Sequence, residues 1–155
     1  MPEQDFDRAK VIGLLNEILE AELAGVVRYT HYSFMVFGHS RIPIVSWLRD
    51  QAALGLTHAH AAGEIVTHFG EHPSLKIGHL LETHKHQIDD ILRESLEAER
   101  EGLGLYKKLL DLVMDKSVFL EEYARRMIAE EELHVGEVNK MLRRPGDVKA
   151  FPAHQ

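Results

Sequence analysis

Cysteine is missing from the 155-residue chain, which removes disulfides, thiolate metal ligands and cysteine nucleophiles from consideration. Proline is scarce. The five prolines stand at 2, 43, 73, 145 and 152 and leave long stretches without the strongest helix breaker, an arrangement that favours helices over a many-turned β fold. No apolar run is long enough to cross a bilayer, and the acidic start of the chain lacks the apolar core of a secretory signal. A cytoplasmic protein with no membrane partner is therefore expected. Basic charge is also short: the formal net charge of −7 argues against nucleic acid, whose phosphates need a basic face. What the chain does have is eleven histidines, enough to prompt a search for metal ligands.

The breakers divide the chain into four helical stretches. The first is predicted over 7–37, entered through Asp5 and Asp7 and stopped by Gly38. A short connector to Pro43 brings the second helix, 43–69, back antiparallel, and Gly70 ends it. The segment 71–78, with Pro73 and Gly78, reads as a crossover. A third helix follows over 79–114, a turn at 115–117, and a fourth helix ending near Arg144, before Pro145 and Gly146. The expected architecture is all-α: an antiparallel four-helix bundle with a crossover between the second and third helices. It occupies 1–145 as one domain and leaves 146–155 as an irregular tail.

A bundle helix buries a stripe spaced by alternating steps of three and four. The first helix offers Val11, Leu15, Ile18, Glu22, Gly25, Tyr29, Tyr32 and Val36; the second offers Ile44, Leu48, Gln51, Gly55, His58, Ala62, Ile65 and Phe69. The third and fourth carry equivalent seams through Glu99 and through Glu131 and His134. Each seam is apolar except near its middle. Glu22, His58, Glu99, Glu131 and His134 thus fall at core positions at one depth, with no lysine or arginine in the seams to neutralise the three carboxylates. An unpaired buried carboxylate is costly, so the set needs a common partner, and a multivalent cation supplies one.

The chain also repeats itself. Glu22-Leu-Ala-Gly25-Val-Val-Arg-Tyr29 and Glu99-Arg-Glu-Gly102-Leu-Gly-Leu-Tyr106 share the pattern Glu-x-x-Gly-x-x-x-Tyr. A seam histidine follows at nearly the same interval, 36 residues on at His58 and 35 residues on at His134. Two helical hairpins related by an approximate twofold axis would each give one glutamate and one histidine to a dinuclear centre. Gly25 and Gly102 would leave room beside the metals, and Tyr29 and Tyr106 would hydrogen-bond the carboxylates. Glu131 and His134, at i and i+3, form the Glu-x-x-His pair of di-iron carboxylate bundles. Glu130 and Glu132 are out of phase and expected to point elsewhere.

These residues, with Asn16-x-x-x-x-x-Glu22-Leu-x-x-x-x-x-Tyr29, Leu-x-x-Glu99 and Glu131-x-x-His134, resemble the bacterioferritin branch of the ferritin-like family over about 140 residues. The resemblance implies a di-iron ferroxidase centre: ferrous iron is oxidised by oxygen or peroxide, and the ferric product is stored or detoxified. In that mapping Glu22 and His58 hold one iron, Glu99 and His134 the other, and Glu131 bridges. It also implies a homo-oligomer, at least a dimer.

Three departures qualify the implication. Gly55 stands where the family has a second bridging glutamate, although glycine costs a helix about 1 kcal/mol relative to alanine. The site is then either five ligands with an opening or a weakened centre that holds its second metal poorly. Leu56 replaces the haem-bearing methionine, so no haem is expected. The tail, broken by two prolines and a glycine, lacks the short fifth helix of ferritin cages and favours a smaller assembly. Beside the oxidoreductase stand two alternatives: a metal-binding or structural subunit with a degenerate site, and a metal-free helical interaction module. His84 and His86 are further candidates for a surface metal-entry site.

Overall fold

The computed structural model describes residues 5–80 and 83–152. Four helices carry the chain: α1 (Arg8–Met35), α2 (Arg41–His68), α3 (Ile88–Val113) and α4 (Val118–Leu142), with no strand among the described residues. The Asp7 carboxylate accepts the Lys10 N–H at 3.1 Å and starts α1, and the Ser117 hydroxyl does the same for α4 through Leu120 N–H. α2 begins two residues before Pro43, which occupies the first turn, where its missing N–H is not needed. Gly38, Gly70 and Gly146 take the positive φ values that follow the helix ends.

The main difference from expectation is at the start of α3. The helix begins at Ile88 rather than His79, so the crossover is longer than the sequence pattern suggested. The reason lies in the crossover's own bonds. Asn16 Oδ1 accepts Ser74 N–H at 2.8 Å while its Nδ2 donates to His72 O at 3.3 Å, and Glu20 O accepts Gly78 N–H at 2.8 Å. The segment is thereby laid along α1 in an extended course. His84 has φ +58°, incompatible with a helix running through it, and Asp89 and Asp90 supply the acidic first turn only after Gln87. α4 stops at Leu142, two residues earlier than expected, because Arg144 precedes Pro145 and is steered away from helical backbone.

α1 packs against α2, α3 against α4, and α1 against α3. Because the crossover returns along the bundle, α1 and α3 run in opposite directions: Glu22 meets Tyr106, Tyr29 meets Glu99, and Tyr32 meets Glu94. Apolar side chains fill both ends. Val11, Leu15, Ile18, Leu109, Val113, Leu120 and Met127 form one cluster; Tyr32, Val36, Leu48 and Ile91 form the other, with Leu92, Leu96 and Val138 beside it. The polar residues of the seams lie between these greasy plugs. No helix among the described residues is long and apolar enough to cross a membrane.

Asn16 fastens the crossover through both ends of its amide. Asn16→Ala is expected to lower unfolding free energy by about 1 kcal/mol and to speed hydrogen exchange at the Ser74 amide, read by NMR. Unchanged exchange there would show that the crossover is held by other contacts.

Candidate metal centre

The helices bring the five seam residues to one small cavity of about 40 Å³, lined by Glu22, His58, Glu99, Glu131 and His134 together with Gly25, Gly55 and Gly102. That volume takes ions with a few water-sized ligands but nothing as large as an organic cofactor. His58 Nδ1 lies 3.6 Å from Glu22 Oε1 and 3.5 Å from Glu131 Oε1, and ligand atoms of these three residues all lie within 4.8 Å of one another. On the other side His134 Nε2 is 3.5 Å from Glu99 Oε1. Glu131 touches both halves, because its carboxyl also hydrogen-bonds Glu99. The arrangement matches the two-hairpin pattern read from the repeat, one Glu–His pair from each hairpin and Glu131 between them.

The tyrosines make that pattern reciprocal. Tyr29, from the first hairpin, donates to Glu99 Oε1 at 2.7 Å, and Tyr106, from the second, donates to Glu22 Oε1 at 2.9 Å. Burial, reinforced by the facing carboxylates, raises both phenols well above their ordinary range. They stay protonated and act as donors that orient the acids.

Burial alone would lower the pKa of His58, but its bonds to Glu131 and Glu22 outweigh that and raise it to about 10. Burial lifts Glu131 to about 9, helped by repulsion from Glu99 and Glu22 and opposed by His58. Glu99 goes the other way, to about 2: burial is outweighed by its bonds to His134, Glu131 and Tyr29. The metal-free site therefore holds protons on His58 and Glu131 at neutral pH. One further atom bears on the fit of a cation. Glu131 Oε2 is buried and accepts no hydrogen bond from any described residue. A cluster of carboxylate oxygens and imidazole nitrogens around such an atom fits a hard or borderline divalent ion such as ferrous iron.

Several neighbours were not anticipated. Glu130 does not point away: its Oε2 lies 3.0 Å from His58 Nε2, leaving Nδ1 to face the cavity, whereas Glu132 does turn outward to Lys107 Nζ at 3.1 Å. The sequence phase missed Glu130 because a long side chain one position off the seam can still curl across a neighbouring helix. Arg28, also outside the seam, is only 8% exposed and lines the cavity, so a cation of the protein's own does stand beside the three glutamates. Trp47, read as core filler, stacks on His134 with the planes 2° apart and the centroids separated by 6.2 Å. Glu94 is a buried carboxylate away from the cavity, satisfied by the Tyr32 hydroxyl and by Thr83 N–H at 3.1 Å. His86 lies against His31, centroids 5.9 Å apart, outside the cavity lining.

The ferritin-like domain profile matches residues 12–145. The chain belongs to the ferritin-like family. Among solved structures it is similar to a ferritin-like diiron-carboxylate protein of Bacillus anthracis, with TM-score 0.82 and 21% identity over 87% of this chain and 96% of that one. The bacterioferritin of Rhodobacter capsulatus gives TM-score 0.75 and 21% identity, covering 88% of this chain and 86% of that one. A dodecameric thioferritin, the bacterioferritin-related protein of Bacteroides fragilis, gives 0.77 and 20%, with the same coverages of 88% and 86%. At such identities the likeness shows the ferritin-like four-helix fold. No curated protein sequence matches the chain significantly.

A divalent ion entering this ferritin-like cavity must displace the protons on His58 and Glu131. Anaerobic cobalt(II) addition at pH 7 is expected to acidify a weakly buffered solution, and apparent affinity is expected to rise with pH. Metal-free stability should run the opposite way. Both groups have folded pKa values above their ordinary 6.5 and 4.5, so their stabilisation is complete below those values and is lost as pH rises through about 9 to 10. A metal-free melting temperature that climbs from pH 6.5 to 10 would contradict this assignment.

Proposed function

We propose that the chain oxidises ferrous iron at a di-iron centre inside the bundle, serving iron storage or detoxification. The observation that carries the reading is the convergence of two Glu–His pairs on a buried cavity, with Glu131 between them. In this reading Glu22 and His58 would hold one ferrous ion and Glu99 and His134 the second, with Glu131 placed to serve either. Each ferrous ion gives up one electron, and oxygen or peroxide accepts the pair.

The chain's own residues do the positioning. Tyr106 and Tyr29 fix the Glu22 and Glu99 carboxylates through their hydroxyls. Glu130 sets the His58 ring with Nδ1 inward, and Trp47 holds the plane of His134. The apolar clusters on either side exclude bulk water, so the charges act at low dielectric. A homo-oligomer, at least a dimer, belongs to the same proposal. The dodecameric relative is an assembly of that kind, and Phe34, Phe37 and Ile42 cluster in sequence as exposed apolar residues at the α1–α2 end.

Gly55 favours a second reading, a metal-binding subunit without turnover. A Cβ there would meet Val26 Cγ2 at 3.4 Å, Glu22 O at 3.5 Å and Glu22 Oε2 at 3.8 Å, ordinary contacts that leave a side chain admissible. Close packing therefore does not dictate the glycine.

Anaerobic ferrous titration followed by air should give ferric absorbance faster than iron in buffer, and Glu99→Ala should reduce the rate by about 100-fold or more, a loss comparable to disturbing a metal's ligand environment. A wild-type rate equal to that of iron in buffer sinks the oxidase. Two-metal binding without oxidation would leave the second reading in place.

A further inference from the structure

The charge inside the cavity does not balance once it is loaded. Two divalent ions bring four positive charges and Arg28 brings a fifth, while Glu22, Glu99 and Glu131 offset three. Glu130 lies behind His58 with its side chain 49% exposed, so water screens most of what it would offset. An excess of at least one positive charge in a buried site is costly unless an anion accompanies it. The position where the family's fourth carboxylate would stand is Gly55, which leaves space on the cavity wall.

Arg28 has the chemistry to hold such an anion. Its Nη1 makes a single long bond, 3.5 Å to His79 O, and its Nε is buried with no partner among the described residues. No ion pair of Arg28 occurs among those residues either. A cationic side chain this deeply buried normally has its donors occupied. The guanidinium edge carrying Nε and Nη2 presents two parallel N–H groups, the geometry that pairs with a planar carboxylate. Arg28 also lines an outer recess of about 510 Å³ between α1, α3 and the crossover, so it borders both the cavity and that recess.

Resting on the di-metal reading, we propose that the loaded centre takes a small carboxylate-class anion, formate or bicarbonate in size. Arg28 holds it in the cavity that Arg28 and Gly55 both line, and it supplies the negative charge that the missing glutamate does not. Metal and anion then bind with positive coupling: each raises the affinity of the other by the same factor. In the metal-free site the two dications are missing, so the anion meets Arg28 alone and binds weakly.

The test titrates the metal-free full-length chain with cobalt(II), without oxygen, in carbonate-free chloride buffer, with and without formate. Calorimetry and the visible absorbance of bound cobalt are the readouts. Formate is expected to tighten the second cobalt equivalent by at least about ten-fold. Arg28→Gln is expected to abolish that dependence while the first equivalent still binds. Gly55→Glu should bind both equivalents in chloride alone and cease to respond to formate; it keeps the test decisive if Arg28→Gln does not fold. Two equivalents bound equally well with and without formate would overturn the anion and leave the di-metal centre standing. One equivalent that formate cannot raise to two, or a formate response that survives in Arg28→Gln, would also overturn it. No cobalt bound in any buffer would instead remove the metal centre itself.

Discussion

Three carboxylates placed at the same depth of an apolar bundle are the constraint around which the rest of this structure is arranged. Glu22, Glu99 and Glu131 each lose most of their hydration there, and a buried charge without a partner is among the most destabilising features a fold can hold. The metal-free chain meets the problem with protons and donors. His58 and Glu131 retain protons, Glu99 is held ionised by His134 and Tyr29, and Tyr106 donates to Glu22. A site whose acids are balanced by removable protons is one that cations can enter by exchange.

The topology makes this possible at modest cost. Because the crossover runs back along α1, tied at Asn16 and Glu20, α1 and α3 meet antiparallel, and each tyrosine reaches the other hairpin's glutamate. The same antiparallel meeting carries Tyr32 to Glu94, a fourth acid, which is satisfied and lies outside the cavity. Apolar clusters at both ends then lock the helices in register, so the donor atoms stand within a few ångströms of one another without a metal to gather them. Such preorganisation is the protein's contribution to any chemistry at the cavity, whichever ion occupies it.

Gly55 and Arg28 both bear on the charge of the cavity they line. They act in one direction, since Gly55 brings no carboxylate to the wall and Arg28 brings a positive charge. Taken singly, each would weaken the hold on a second dication. Lining one cavity together, a guanidinium with an unpaired Nε and a position without a side chain form a complementary pair for an anion that the chain does not itself encode.

The four helices, their seams, the paired Glu–His halves and the tyrosines beside them were legible in the sequence alone. Burial at a period of about 3.6 residues and a repeated Glu-x-x-Gly-x-x-x-Tyr leave little freedom in where those side chains go. Seam phase worked well for Val11, Leu15, Glu22, Tyr29 and Glu131, because position on a helix decides which way such residues leave the backbone. It failed for Arg28 and Glu130, whose long side chains travel several ångströms from the Cα and end wherever charge and space draw them. It failed again at the start of the third helix, because bonds of His72, Ser74 and Gly78 to α1, not local propensity, lay the crossover in an extended course before Ile88. The sequence by itself thus determined the helical scaffold and the depth of its acids, since both follow from backbone periodicity. Only the tertiary structure decided the charge balance of the cavity, since that depends on which flexible tips from different helices arrive at the same place.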